Sequence, residues 1–153
     1  MITTPSERIE EYTRKGWWDD TTLHGLLWRN SAAHPDRLAV ADQPNREELT
    51  GHAPFRLDYA QLRSAAANLA CRLLDRGIGP GDALLVQLPN ITELYVVYFA
   101  ASAIGAIVSP LPVQYGGHEI RKAGDTLSPA AMITIGRVRE TPLAENALVA
   151  LSG

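Results

Sequence analysis

Cysteine and long apolar runs are the features this sequence has least of. Cys71 is the only cysteine, which excludes an intramolecular disulfide and any metal site built from several thiolates. The longest apolar stretch, ELYVVYFAASAIGAIV, begins with a charge, contains a glycine and is shorter than the roughly 20 residues that cross a bilayer. The sequence therefore predicts neither a disulfide-stapled domain nor a membrane-spanning helix.

An excess of charge of one sign is also lacking. The net charge is -3, which provides no electrostatic footprint for nucleic acid or for an anionic membrane. The N-terminal stretch MITTPSERIEEYTRKG is polar and charged and has no apolar run typical of a secretion signal. We therefore expect a cytoplasmic protein whose partners include neither nucleic acid nor membrane.

A hydrophobic core is what the composition does support. The chain has 153 residues, of which 46% are hydrophobic. A chain of this length forms one domain by default and buries about two-thirds of its unfolded surface. These values favour a globular fold over disorder along most of the chain.

The glycine-rich segment RGIGPGDALLVQLPN raises the possibility of a phosphate-binding loop. Its glycines are Gly77, Gly79 and Gly81. A phosphate loop follows a strand and opens a helix, so that helical N–H groups point at the anion. Here the glycines follow a predicted helix and precede the strand ALLVQL, and no G-x-x-x-x-G-K-[ST] motif occurs in the chain. The segment is predicted to be a turn.

The centre of the sequence has the pattern of a β-α-β unit. A helix is predicted over 59–76, because Asp58 and Gln61 have capping-box spacing and leucines follow at helical intervals. After the strand ALLVQL, Asn90 and Glu93 have the same capping-box spacing and predict a second helix, which ends at Gly105 before the strand AIVSPL. A strand, a crossover helix and a second strand predict parallel pairing.

Shorter elements are expected on both sides of this unit. Helices are predicted at 6–15, 22–34 and 118–127, and further strands at 38–41, 55–57 and 130–136. The polar stretch 43–54 contains two prolines and a glycine and is predicted to be a surface loop. We divide the chain into a partial N-terminal subdomain at 1–136, with a helical leader at 1–35, and an irregular or disordered tail at 137–153.

Few residues are candidates for chemistry. His118 and Glu119 follow a predicted parallel strand, where α/β proteins usually bind ligands, but adjacent helical residues point in different directions. The four histidines lack metal-ligand spacing. Cys71 is predicted to be a small buried thiol, and Trp17 and Trp18 are predicted to anchor the N-terminal segment. The residues themselves therefore predict no catalytic, no cofactor-binding and no metal-ligating side chain.

Several motifs occur in a specific order along the chain. The stretch DYAQL stands where S-Y-x-E-L is common, GIGPGDALLVQLPN fits G-[IV]-x-x-G-D followed by a strand and an asparagine, and YFAASAIGAIVSPLP fits A-x-x-x-x-G-A-x-x-x-P. The leader RIEEYTRKGWWDD fits R-x-x-x-Y-x-x-x-G-x-W. Over about positions 8–135 the sequence resembles the N-terminal part of the adenylate-forming, acyl-activating (AMP-binding) enzymes. The resemblance is strongest to aryl-acid–AMP ligases and to AMP-forming acyl-CoA synthetases of the cyclohexanecarboxylate-CoA-ligase-like group.

The resemblance implies a fold and a function. The fold is the first α/β subdomain of such an enzyme, a mostly parallel sheet with flanking helices. The complete enzymes use ATP and Mg²⁺ to convert an aryl, alicyclic or fatty acid into an acyl adenylate, which coenzyme A or a carrier-protein thiol then attacks. The family's phosphate loop with its lysine and its other ATP-binding motifs have no counterpart here, although LVALSG resembles the beginning of that loop. The resemblance therefore implies an N-terminal fragment that is inactive alone.

Two alternatives stay open at this point. The chain could be a non-catalytic α/β interaction module derived from the same family, or a small free-standing nucleotide-binding domain, which the order of the glycines disfavours. A subdomain without its neighbour exposes an apolar face or a sheet edge. We therefore expect self-association, or contact with the missing subdomain.

Overall fold

The computed structural model describes residues 4–152. The helices within this range are α1 (Ser6–Arg14), α2 (Leu23–Ala33), α3 (Arg46–Thr50), α4 (Tyr59–Leu74), α5 (Thr92–Ile104), α6 (Gly117–Leu127) and α7 (Leu143–Leu151). The strands are β1 (Leu38–Ala41), β2 (Arg56–Asp58), β3 (Ala83–Gln87), β4 (Ile107–Pro110) and β5 (Ala131–Thr134). No helix in this range is long and apolar enough to cross a membrane.

A three-stranded parallel sheet lies at the centre of the fold. Its strand order is β4-β3-β5, with Leu84 opposite Val108 on one side and opposite Ala131 on the other. Four of the five residues of β3 are buried, as expected for a strand that is covered on both faces. The predicted β-α-β unit, the parallel pairing and the α/β fold class are confirmed.

Helices cover both faces of this sheet. From β3 the chain crosses to β4 on one side of β3, and from β4 it crosses back over β3 to β5 on the other side. The two crossovers therefore run in opposite directions along the sheet. Right-handed crossovers therefore place α5 and α6 on opposite faces. Helix α4 packs against α5, and α7 packs against α6. The larger apolar core lies between the sheet and the pair α4 and α5, and consists of Ala70, Leu73, Ile78, Leu84, Val86, Val97, Ala100, Ala101 and Ile104.

The glycine-rich segment is a turn between α4 and β3, as predicted. The N–H of Ile78 donates to the carbonyl of Leu73 and that of Gly77 to the carbonyl of Leu74, while Gly77 has a left-handed φ of 78°. This pair of bonds is the Schellman motif that ends many helices. Gly81 then donates to the carbonyl of Gly105 at 2.9 Å, so the segment joins the end of α4 to the end of α5.

We expect Gly105→Ala to lower the free energy of unfolding by about 1–2 kcal/mol, because position 105 requires a left-handed backbone. Gly105 has φ +71°, and an added Cβ would lie 3.3 Å from the Cβ of Pro80. Gly79→Ala is the matched control, since Gly79 lacks a positive φ and has no atom within 4 Å of an added Cβ. Urea unfolding of both variants tests the prediction, and equal stabilities would contradict it.

Two predictions about irregular segments are wrong. The predicted loop 43–54 contains α3, and the predicted tail 137–153 contains α7. Leu143, Ala147 and Ala150 are the buried residues of α7, and their spacing of i, i+4 and i+7 is that of one helical face. The tail is therefore held by apolar packing on α6 and β5.

A two-stranded sheet, formed by β1 and β2, packs beside α2 and α4. Strands β1 and β2 lie at the two predicted strand positions and pair antiparallel. Leu27, Leu62 and Ala66 are buried between these strands and the two helices. The capping box at the start of α4 is present as predicted, with Asp58 accepting from the N–H of Gln61 at 2.7 Å.

Candidate functional site at the carboxyl edge of the sheet

The carboxyl ends of the three parallel strands meet at one side of the sheet, which we call the carboxyl edge. A cleft of about 550 Å³ lies there. Its lining comes from α3, from the loops after β3 and β4, and from the segment before α7: Leu49, Leu88, Pro89, Asn90, Pro112, Val113, Gln114, Val138, Arg139 and Thr141. Arg139 is the one charged residue of this lining. Open α/β sheets bind ligands at this edge, which makes the cleft the candidate site.

An ionic cluster built on a buried Asp42–Arg46 pair lies where α3 meets α5. Nη1 of Arg46 donates to Asp42 and to Oε2 of Glu93, and Nη2 donates to Oε1 of Glu93. The side chain of Asp42 is 0% exposed and that of Arg46 is 2% exposed. The guanidinium also lies 4.4 Å from the ring centre of Phe55. The cluster therefore fixes α3 on the first turn of α5.

Asp42 is the most heavily bonded residue of this cluster. Its Oδ1 accepts from the N–H of Thr92 at 2.6 Å and from the hydroxyl of Thr92 at 2.8 Å, and its Oδ2 accepts from the N–H of Phe55 at 2.7 Å and from Arg46. Burial opposes ionisation of Asp42, but these hydrogen bonds outweigh it and lower its pKa. Burial likewise opposes the charge on Arg46, but Glu93 and Asp42 raise its pKa. The pair is therefore held in its charged form.

The start of α5 is capped by Asp42, so the predicted capping box of Asn90 and Glu93 is wrong. The N-cap position is Ile91, which gives no side-chain cap. Asp42 binds the first N–H of the helix from a distant segment, and the carboxylate of Glu93 is bound to Arg46. A charged acceptor at a helix N-terminus gives stronger hydrogen bonds than a neutral asparagine side chain.

The starts of helices α4, α5 and α6 do not fit the phosphates of ATP. The N-terminus of α5 is occupied by Asp42, and that of α4 by Asp58. At α6, Glu119 accepts from the N–H of Gly116 at 3.0 Å, and bonds from its own N–H and from Gly116 lower its pKa. Each of these three helix starts carries a carboxylate of this chain, which would repel a phosphate.

The potential metal-ligating side chains of the described residues do not fit Mg²⁺ either. Among residues 4–152, no three His, Cys, Asp or Glu side chains form a group that could hold a metal ion. Both oxygens of Asp42 are already used by protein donors. We therefore assign no step of ATP chemistry to the described residues.

The residues singled out from the sequence are scattered over the fold. His118 is exposed and Glu119 caps α6, so they form no acid–base pair. Cys71 is exposed, and the prediction that it is buried is wrong because it lies on the outer face of α4. Trp17 and Trp18 contact Tyr12 of the leader and remain 66% and 42% exposed, and their role as anchors of the N-terminal segment stays a prediction.

The amino-acid sequence shows which family this fold belongs to. Residues 27–152 match the family described as AMP-binding enzyme. The chain belongs to this family. Enterobactin synthase component E of Escherichia coli (strain K12) is 34% identical over 129 residues, which are 84% of this chain and 22% of that protein. The salicyl-AMP ligase / salicyl-S-ArCP synthetase of Mycobacterium tuberculosis is 40% identical over 125 residues, which are 81% of this chain and 20% of that protein.

A solved structure has the same fold. The apo structure of Mycobacterium smegmatis MbtA matches with a TM-score of 0.76 and 27% identity, over 99% of this chain and 27% of that chain. The chain spans about a fifth of the length of the curated relatives it matches. The predicted family and its α/β fold are confirmed, and the chain represents one part of the longer family fold.

Proposed function

We propose that this chain supplies the first α/β subdomain of an ATP-dependent enzyme that activates a carboxylic acid. The complete enzyme would form an acyl or aryl adenylate and transfer the acyl group to coenzyme A or to a carrier-protein thiol. The match of residues 27–152 to the AMP-binding family carries this proposal. The relative named for salicyl-AMP formation favours an aryl acid over alicyclic and fatty acids.

ATP, Mg²⁺ and the acid would be held by the remainder of such an enzyme. Two observations support this division. The starts of α5 and α6 are occupied by Asp42 and Glu119, and the chain spans about a fifth of its relatives. We therefore propose that the chain alone is inactive. The cytoplasmic location and the division into 1–136 and 137–153 stay predictions.

A non-catalytic interaction module is the second candidate. It is favoured by apolar side chains that face solvent on α7, where Leu148 is 68% and Val149 is 74% exposed. Exposed apolar residues that adjoin one another are typical of contact surfaces. Such a module would associate with a second copy or with another subdomain and would need no nucleotide.

Nucleotide binding and adenylation separate these two functions. We expect no ATP binding by the chain in calorimetry and no ATP–pyrophosphate exchange with aryl, alicyclic or fatty acids. We also design a chimaera in which residues of this chain replace the matching 129-residue stretch of the Escherichia coli relative. We expect ATP–pyrophosphate exchange by this chimaera, because the subdomain would then support that relative's own ATP site. Exchange by the chain alone would contradict its inactivity. A folded but inactive chimaera would favour the interaction module.

A further inference from the structure

The cleft at the carboxyl edge lies where two connections leave the sheet in different directions. Helices α5 and α6 lie on opposite faces of the sheet, so the loop after β3 and the loop after β4 diverge. In open α/β sheets a crevice opens at such a point, and ligands bind in it. Both loops line the cleft of about 550 Å³, through residues 88–90 and 112–114. The position of the loop after β4 therefore sets one wall of the cleft.

Gln87 is the last residue of β3 and links that strand to the loop after β4. Leu84 and Val86 belong to the core on the face of α4 and α5, so the side chain of Gln87 lies on the opposite face. Its Nε2 donates to the carbonyl of Pro112 at 3.0 Å and to the carbonyl of Tyr115 at 2.9 Å. Gln87 is 0% exposed, and hydrogen bonds at a buried position are costly to lose.

The two carbonyls belong to the ends of one turn. The N–H of Tyr115 donates to the carbonyl of Pro112 at 3.0 Å, which is the i to i+3 bond of a β-turn. The side-chain amide of Gln87 thus binds the first and the last residue of this turn together. The two middle residues, Val113 and Gln114, line the cleft. One buried amide therefore holds the turn that presents these two residues to the cleft.

Only the donor end of the Gln87 amide makes these contacts. A primary amide has two N–H groups on its nitrogen, and here there are two carbonyl acceptors for them. The Oε1 atom has no hydrogen-bond partner among the described residues. Turning the amide over would place Oε1 against two carbonyl oxygens, so the acceptors fix its orientation. A side chain of similar size without N–H groups cannot hold the turn in this way.

We propose that Gln87 is a positioning residue for the cleft, which fixes the turn 112–115 before any ligand is present. Gln87 is not among the residues that line the cleft, so it acts through the turn. A wall that is already in place lowers the ordering cost of binding. This role follows from the fold and from the place of the cleft, and it is independent of the proposed enzymatic function.

Amide hydrogen exchange of the chain tests this role, with the N–H of Tyr115 as the reporter. Gln87→Met keeps a similar side-chain size and has no N–H donor. We expect it to lower the protection of the Tyr115 amide at least about tenfold, because two buried hydrogen bonds are lost. The amides of β3 report opening of the whole fold and should lose less protection.

Thr134→Val is the matched control for this experiment. It removes the bond from the hydroxyl of Thr134 to the backbone carbonyl of Gln87 at 3.0 Å. The same strand end is affected, but the two bonds to the turn stay. We therefore expect the protection of the Tyr115 amide to remain that of the wild type.

Gln87→Glu separates the effect of the hydrogen bonds from that of packing. At neutral pH its carboxylate would face two carbonyl oxygens without a donor, so the turn should be less protected than in Gln87→Met. In acid the neutral carboxyl group has one O–H donor, and part of the protection should return. Gln87→Met should show no such return, since the other titratable groups, Glu119 among them, are the same in both variants.

Three results would overturn the proposal. They are a Tyr115 amide that is as protected in Gln87→Met as in the wild type, an equal loss of protection in Thr134→Val, and a Gln87→Glu variant whose pH dependence is that of Gln87→Met. Circular dichroism checks that the variants are folded. If Gln87→Met is not, the wild type decides: a held turn requires strong protection of the Tyr115 amide, and exchange at the rate of an unstructured chain contradicts the role.

Discussion

Replacing Arg46 with methionine is expected to lower the free energy of unfolding by about 3–5 kcal/mol, because it leaves a buried carboxylate without its cation. Asp42 is fully buried in this cluster, so its charge cannot recover hydration once the guanidinium is gone. Methionine preserves much of the side-chain volume beside Phe55, so the loss reports the charge and its hydrogen bonds more than packing. Urea unfolding of the wild type and Arg46→Met at neutral pH measures this loss of unfolding free energy.

Arg137→Met is the matched control for this prediction. Arg137 also faces a carboxylate, but the pair with Glu140 is 3.6 Å apart and exposed on both sides. Exposed pairs contribute about 0–1 kcal/mol, so this variant should unfold nearly like the wild type. If Arg46→Met costs no more than Arg137→Met, the cluster is not buried in solution. The unfolding free energy of Arg46→Lys should lie between those of Arg46→Met and Arg137→Met. Its ammonium keeps the positive charge but cannot reproduce the paired hydrogen bonds to Glu93.

The parts of the fold that sequence could predict are those encoded by neighbouring residues. The cap of α4 depends on Asp58 and Gln61, three positions apart. The end of the same helix depends on Gly77, whose left-handed φ follows from its place after the last turn. The burial of β3 follows from its continuous apolar run. Each signal lies within one turn or one strand, so it can be recognised without the tertiary structure.

The candidate site could not be predicted in the same way, because distant segments build it. Glu93 is 47 positions from Arg46, and Thr92 is 50 positions from Asp42. Within the sequence, Asp42 and Arg46 give one local signal, the i, i+4 spacing of an acid and a base. A polar stretch with that spacing is more often a solvated surface, and only the packing of α3 on α5 shows that it is buried.

The segment 137–153 was wrongly predicted to be irregular for a different reason. Leu143, Ala147 and Ala150 have helical spacing, yet the stretch before them, with Pro142 and the left-handed Arg139, indicates irregular backbone. The helix is stabilised by its partner α6, where Gly124 allows close approach: an added Cβ would lie 2.8 Å from Cδ2 of Leu151. Tertiary packing thus outweighs a weak local signal.

Asp42→Asn is expected to give the second large effect, and its size should depend on pH. At neutral pH the variant loses the anion that binds Thr92, Phe55 and Arg46. We expect a loss of about 3–5 kcal/mol, since Arg46 is then buried with half of its counter-charge. Glu140→Gln, at a residue 96% exposed, is the control and should change stability by less than about 0.5 kcal/mol.

The pH dependence has a defined sign, because the pKa of Asp42 is lower in the folded protein than in the unfolded chain. The unfolded chain therefore binds this proton first as the pH falls below about 4, the ordinary value for aspartate. The stabilisation from the ionised carboxylate is complete above that pH and is lost progressively below it. The difference in unfolding free energy between wild type and Asp42→Asn should accordingly be large at neutral pH and shrink in acid. Urea unfolding of both proteins at several pH values measures this difference. A gap that stays constant from neutral pH into acid would mean that Asp42 is not the buried anion that holds α3 against α5.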